Sequence, residues 1–346
     1  MEHRLVILLR SSHQLKHIIG SLWVAAFALL WCFSATGQPV KPVMVWTHLS
    51  TTPADKVGAV RWVQPLRGAL FRLEHATIRE KLATVARGEP SAAKGMGTEI
   101  ELPMPDGTTA RFAIVEAPVM APELAAKFPE IKTYAGQGID DPGATVRLDF
   151  SPAGFHAQVL SPRGAVYVDP AYRGDADYHV SYYKRDYSKA LDDWNCLAAG
   201  SGTVGKGLSG GTSSGIGANK VQSGATLRTY RLAVACTGEY AAYFGGTVSN
   251  AMAAIVSAVN RVDGVYETEL AVRLVLVANN NLIVYLNAST DPYSNSDGSK
   301  MLGQNQTTLD SVIGAKLMPH LMRHIINPES ISRRRRRTGD ALRLVG

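Results

Sequence analysis

Three stretches decide the fold: Tyr230-Arg-Leu-Ala-Val-Ala-Cys-Thr-Gly-Glu-Tyr240, Val248-Ser-Asn-Ala-Met-Ala-Ala-Ile-Val-Ser-Ala-Val-Asn-Arg-Val-Asp-Gly-Val-Tyr266 and Leu270-Ala-Val-Arg-Leu-Val-Leu-Val-Ala278. The outer two hold near-continuous apolar runs, Tyr230–Ala235 and Leu270–Ala278, as strands buried on both faces require. Between them Val248, Met252, Ile255, Val259, Val262 and Tyr266 recur at steps of four and three, the period of a helix, with Thr247 as its N-cap. Strand, helix and strand in that order predict a parallel βαβ unit with a right-handed crossover. Leu282–Leu286 reads as a further short strand and Met301–Ile313 as a second helix.

Upstream, residues 200–224 contain nine glycines interspersed with Ser and Thr. Such a stretch buries too little apolar surface to offset its ordering entropy, so it reads as a linker and domain boundary. Lys206 and Lys220 inside it are open to proteases. Before the linker the pattern is mostly β. Glu74–Ala86 has helical spacing at Ile78, Leu82 and Val85, with Gly88 as a stop. Strands then alternate with turn residues: Pro105-Asp-Gly107, Pro152-Ala-Gly154 and Pro162-Arg-Gly164 separate runs in which every second residue is apolar. This is the signature of an antiparallel meander with one buried face.

The chain has 346 residues, 46% of them hydrophobic, and a net charge of +7. Residues 315–346 carry a net +6 and residues 1–37 a net +2, which leaves the body at −1. With no basic excess on the folded part, a nucleic-acid footprint is disfavoured and no nucleic-acid partner is expected. In residues 1–37, Arg4, Arg10 and Lys16 precede the apolar run Ile18–Phe33, and Ala35-Thr-Gly37 supplies small residues before Gln38. That run is shorter than the roughly 18 residues of a membrane span, so it predicts a cleaved secretory signal rather than an anchor. A secreted or periplasmic protein, free of the membrane after cleavage, is expected.

The order Tyr230–Ala235, Cys236-Thr-Gly-Glu-Tyr240, long helix, Leu270–Ala278, Thr290-Asp-Pro-Tyr293 and Gly303-Gln-Asn-Gln-Thr307 resembles the opening half of the catalytic domain of secreted reprolysin-like (metzincin) zinc metalloproteases. Ala117-Pro-Val-Met120, Phe128-Pro-Glu-Ile-Lys-Thr-Tyr134, Val168-Asp-Pro170 and Tyr182-Tyr-Lys-Arg-Asp186 resemble the propeptide of the same enzymes. The resemblance implies an α+β chain: signal peptide 1–37, β-rich antiparallel prodomain 38–198, linker 199–226, incomplete α/β (βαβ) metzincin-like domain 227–314, and basic tail 315–346, disordered or frame-shifted. It also implies zinc in the full-length family and protein or peptide substrates.

Such an enzyme needs His-Glu-x-x-His-x-x-Gly-x-x-His: two histidines one helical turn apart on zinc, a Glu as general base, and a third His. The sequence lacks that string. The nearest run, His320-Leu-Met-Arg-His324, has Leu321 where the base belongs, and Pro319 and Pro328 bracket it. The expectation is therefore no catalytic residue, no metal ligand and no bound cofactor on this chain. A truncation or frameshift is expected near Ala315, because the run Arg333–Arg337 replaces a stretch that the family makes glycine-rich. The exposed edge and face of half a domain predict aggregation for Thr229–Gly346, while Pro39–Tyr187 is expected to fold alone.

Cys196, in Trp194-Asn-Cys-Leu197, is the latency candidate: its thiolate would occupy the open position on zinc until the linker is cut. A disulfide or an inert thiol is the alternative reading, and Cys236 either pairs with Cys196 or lacks its partner. Asn287-Ala-Ser289 and Asn305-Gln-Thr307 match the glycosylation triplet. His48, His75, His156 and His179 are isolated in sequence, and Glu239 is a helix-capping candidate. The rival function is a secreted non-catalytic binding or inhibitory module, and a third is a secreted structural or adhesive protein.

Overall fold

A computed structural model describes residues 44–59, 61–187, 226–295, 297–314 and, for the backbone alone, 321–326. The expected signal peptide, Cys196, His320, most of the linker and the arginine run lie outside the described residues. The first part of the described chain is a nine-stranded antiparallel sheet: β1 (Trp46–Leu49), β2 (Ala69–Leu73), β3 (Thr98–Pro103), β4 (Thr109–Glu116), β5 (Lys132–Gly138), β6 (Thr145–Ser151), β7 (Gly154–Leu160), β8 (Val166–Pro170) and β9 (Tyr178–Tyr183), in the order β1-β2-β9-β8-β7-β6-β5-β4-β3. The Pro-x-Gly punctuation works as turn chemistry predicts. Gly107 sits at φ +90°, and a Cβ there would lie 3.1 Å from the His48 ring, so the turn needs glycine.

The sheet curls until its two edges meet: Trp46 Nε1 donates to Glu101 O at 3.0 Å, and Ser181 Oγ donates to Pro103 O at 2.8 Å. This half-barrel encloses Phe71, Ile100, Ile114, Leu148, Phe155 and Val168. The nine-residue helix α1 (His75–Ala83) adds Ile78 and Leu82 to that core. Successive residues of a strand face opposite sides. Arg147 and Asp149 of β6, His156 and Gln158 of β7, and Tyr167 and Asp169 of β8 therefore point outward.

After residues 188–225 the chain forms the predicted parallel unit. β10 (Arg228–Cys236) leads into a short helix α2 (Gly238–Tyr243), then the 23-residue α3 (Val248–Leu270), then β11 (Val272–Leu276). Thr247 caps α3 as expected, its Oγ1 accepting from Asn250 N at 3.2 Å. The helix ends where Ala271 turns left-handed at φ 53°, its N–H bonded to Tyr266 O. α4 (Gly298–Leu309) starts on an Asp297 cap and continues into one π-turn through Gly314. Leu321–Ile326, read from sequence as part of the basic tail, forms β12, which runs parallel to β10 on the side opposite β11.

Two expectations are corrected. Leu282–Leu286 is not a strand: a 3-10 turn spans Asn280–Ile283, and only Val284 bridges Cys236. The ladder position beside β10 is taken instead by the Asn280 side chain, which accepts from Val234 N at 2.8 Å and donates to Val234 O at 3.1 Å. A side chain thus does the work of the next strand. Nor are the β11 edge and the α3-bearing face left bare. Leu276 N donates to Val119 O and Ala121 N donates to Leu276 O, both at 2.8 Å, so the segment after β4 lies along β11. Met120, Leu124, Phe128 and Ile131 from that segment join Leu232, Val234, Met252, Ile255 and Leu276 in one core. On the opposite face, Ala233 and Ala235 of β10 pack with Met301 and Leu309 of α4.

Candidate functional site

The described residues do not assemble the chemistry that the resemblance implies. No group of three or more His, Cys, Asp or Glu side chains among them is placed to hold a metal ion. His324 falls within β12, opposite Val234. His320, the other histidine of that run, lies outside the described residues.

The other candidate residues are dispersed. Cys236, the last residue of β10, is a buried free thiol whose pKa burial pushes up to about 12, well outside the range of a reactive thiolate. Glu239 lies in the first turn of α2, but the cap is Thr237, whose Oγ1 accepts from Tyr240 N at 3.4 Å. His75 pairs with Asp177 at 3.0 Å, and the His48 ring packs against Phe71. His179 is fully buried between Trp46 and Phe155, and desolvation pushes its pKa down to about 3, so it stays neutral. Asn287 is exposed, while Asn305 is buried and accepts from Tyr293 OH at 3.3 Å.

The structure does bring together a set of charged side chains that sequence reading passed over. They lie where α3 crosses the outer face of β6, β7 and β8. α3 presents Ser257, Asn260, Gly264 and Glu267 at steps of three, four and three, one helical stripe. Small residues in that stripe permit a close approach. A Cβ on Gly264 would sit 2.9 Å from Gln158 Oε1 and 3.0 Å from Arg147 Cγ.

Into this contact β6 sends Arg147 and Asp149, both nearly inaccessible. Arg147 is ion-paired with Glu267 and reaches Asn260 Oδ1 at 3.5 Å. Asn260 Nδ2 donates to Leu148 O at 2.9 Å. Ser257 Oγ donates to Asp149 Oδ2 at 2.6 Å, and His156 Nδ1 lies 3.0 Å from the same oxygen. Glu267 also pairs with Arg273 of β11, which extends to Glu89 at 2.8 Å.

One strand further, Arg261 is ion-paired with Asp169, whose second oxygen accepts from Tyr182 OH at 2.8 Å. Burial alone would raise the Asp169 pKa. The Arg261 charge, His156 and the Tyr182 hydrogen bond outweigh it and hold the carboxyl below its usual range. Asp263 is the opposite case. Its Oδ1 accepts from Leu274 N at 2.9 Å, but Oδ2 has no hydrogen-bond partner, and burial pushes its pKa up to about 7 against the Arg147 charge.

Chemically, this seam holds rather than reacts. Ser257, Asp149 and His156 include the residue types of an acyl-transfer triad in the wrong order: the carboxylate stands between hydroxyl and imidazole, so nothing takes the serine proton as a base. What the seam does is fix α3, and with it β10 and β11, on the outside of the half-barrel. The fold class is α+β, and no described helix is long and apolar enough to cross a membrane.

Comparison with known proteins adds three findings. A chain from a solved structure described as "Structure of a chaperone-substrate complex" is similar at 15% identity over 39% of this chain and 96% of that one, with a TM-score of 0.26. That score is too low to carry an argument. No curated protein matches the chain. Residues 226–323, which run from the start of β10 into β12 and include α3 with its half of the seam, match the model of the reprolysin-like metallopeptidases of family M12B, and this part of the chain is similar to that family.

Proposed function

We propose that this chain is precursor sequence of a secreted reprolysin-like zinc endopeptidase. The half-barrel is its prodomain, and β10–α2–α3–β11 is the opening part of the metallopeptidase domain. The observation that carries this reading is the coincidence of the family match, residues 226–323, with the parallel unit that the half-barrel clasps. Within this reading the chain as written is inactive, because its 346 residues contain no His-Glu-x-x-His string. Zinc, where a chain of this family carries its ligands, supplies the Lewis acid that activates water. Here the residues only bind and position the surrounding scaffold. Cys196 keeps the role of latency thiol within this proposal, and protein or peptide substrates belong to a chain that bears the metal helix.

Sequencing of the DNA beyond the codon for Ala315 tests the precursor reading. A His-Glu-x-x-His string in any downstream frame supports it, and a locus without one removes it. Metal analysis and peptide-library cleavage with the purified 346-residue chain test its inactivity. Stoichiometric zinc with cleavage would refute that part. The rival reading is a secreted binding or inhibitory module. It requires the purified chain to bind and inhibit a reprolysin-like protease.

A further inference from the structure

We infer that the half-barrel is shut by an acid-sensitive latch: His179, buried against Trp46 of β1, lets the β1 and β3 edges stay together while its ring is neutral, and protonating that ring lifts β1 from the closure. This goes beyond the precursor reading and does not depend on it. The first support is placement. His179 stands on β9 opposite Phe71 of β2 and Pro170 of β8. Its ring packs edge-on at 5.3 Å from Trp46 and 6.2 Å from Phe155. Trp46 is the residue whose indole N–H donates to Glu101 O across the closure, and Ser181, two residues beyond His179, makes the other closing bond. The imidazole therefore lies against the residue that joins the two edges.

The second support is the lack of any partner for a charge. His179 is fully buried, and neither ring nitrogen has a hydrogen-bond partner. The titratable groups of the surrounding elements are engaged elsewhere: His75 of α1 with Asp177, His156 of β7 with Asp149, and Asp169 of β8 with Arg261. His48 of β1 packs on Phe71, and Arg72 of β2 and Glu101 of β3 alternate with core residues and face outward. A leucine would fill the site without two unpaired polar atoms, which cost stability. What the imidazole adds is a titration near physiological pH. Desolvation pushes its pKa down from 6.5 to about 3 in the closed form. The closed form is thus at full strength above pH 6.5 and weakens as the pH falls toward 3, because the open form takes up the proton first. The third support is the strand that has to move. β1 has four residues, lies at the end of the sheet and is laddered to β2 alone among the described strands, so it is the element most easily lifted.

The test is hydrogen–deuterium exchange on the full chain between pH 7.5 and 5, corrected for the intrinsic pH dependence of exchange. That window lies above the ordinary carboxylate range, so it isolates histidine. The opening constant of the Trp46–Leu49 amides should rise by about 30-fold from pH 7.5 to 5, as one proton taken up at 6.5 requires, with β6 and β7 still protected. His179→Leu should abolish the rise, and His179→Gln, polar but uncharged at every pH, is the second variant should leucine fail to fold. His75→Gln should leave the rise intact. A flat wild-type profile overturns the inference whatever the variants do. So does an unchanged rise in a His179 variant that is folded at pH 7.5, or a rise that His75→Gln removes. Neither zinc nor peptide cleavage enters the readout, so failure here is distinct from failure of the peptidase reading.

Discussion

Replacing Arg261 by Met leaves the Asp169 carboxylate buried without its counter-charge. The Asp169 side chain is 10% exposed and that of Arg261 26%, so solvent screens the pair only weakly. Removing one member of such a pair costs about 3–5 kcal/mol. The guanidinium also lies 5.1 Å from the centre of the Tyr167 ring, a contact worth about 0.5–1 kcal/mol that Met keeps only in part. The cost has a ceiling, because a stranded carboxylate takes up a proton rather than remain charged. We therefore expect a loss of about 3 kcal/mol at neutral pH, read as the shift in urea unfolding followed by circular dichroism. Lowering the pH should shrink that loss, since protonating Asp169 removes the unpaired charge. The double variant Arg261→Met/Asp169→Asn removes both charges and keeps an acceptor for Tyr182 OH, so it should lie within about 1–2 kcal/mol of the wild type. A loss below about 1 kcal/mol for Arg261→Met, or no recovery in the double variant, would refute the claim that a buried ion pair fixes α3 to the sheet.

Asp263 predicts a pH effect of opposite sense. Its folded pKa is raised from 3.8 to about 7, so between those values the folded chain holds a proton that the unfolded chain releases. Stability from this group is full below 3.8 and declines as pH rises to about 7, by roughly 2–3 kcal/mol between pH 5 and 7. The advantage of Asp263→Asn over the wild type in urea unfolding should grow by that amount across the interval, and a constant difference contradicts the assignment. Cys236 should resist iodoacetamide in the native protein and react on unfolding, because its thiol is buried and its pKa is pushed up to about 12; equal rates would refute its placement. Ala271→Gly should stabilise the chain by about 0.5–1 kcal/mol, since Ala271 holds φ 53° at the end of α3 and glycine carries no steric penalty there. Thermal unfolding that shows a loss instead would contradict the left-handed cap.

The parts of the fold that depend on local rules were legible in the sequence. The period of Val248–Tyr266, the Thr247 cap and the Pro-x-Gly turns each report neighbours a few residues away, and all three reappear in the structure. The seam was not legible, for a physical reason. Arg147, Asp149 and Asp169 alternate with apolar residues just as the solvent face of a half-exposed sheet does. Only α3, which follows about a hundred residues later, buries them. A signal existed on the helix: Ser257, Asn260, Gly264 and Glu267 share one stripe, and a single apolar face did not account for it. That stripe marks the second buried side of a helix held between two sheets. Leu282–Leu286 misled because an apolar run of strand length followed β11, while the ladder beside β10 was completed by the Asn280 side chain. Leu321–Ile326 carries the spaced histidine and lies beyond the apolar pattern of the parallel unit, so only the backbone register with β10 identifies it as a strand.

The central claim is that the half-barrel and the reprolysin-like unit are joined through a buried helix. Hydrogen–deuterium exchange on the intact chain tests it most directly. Amides of Ile255–Glu267 should exchange as slowly as those of β6 and β7 and lose protection together with them in rising urea. Exchange of that helix well ahead of β6 and β7, with the sheet still protected, would contradict the account.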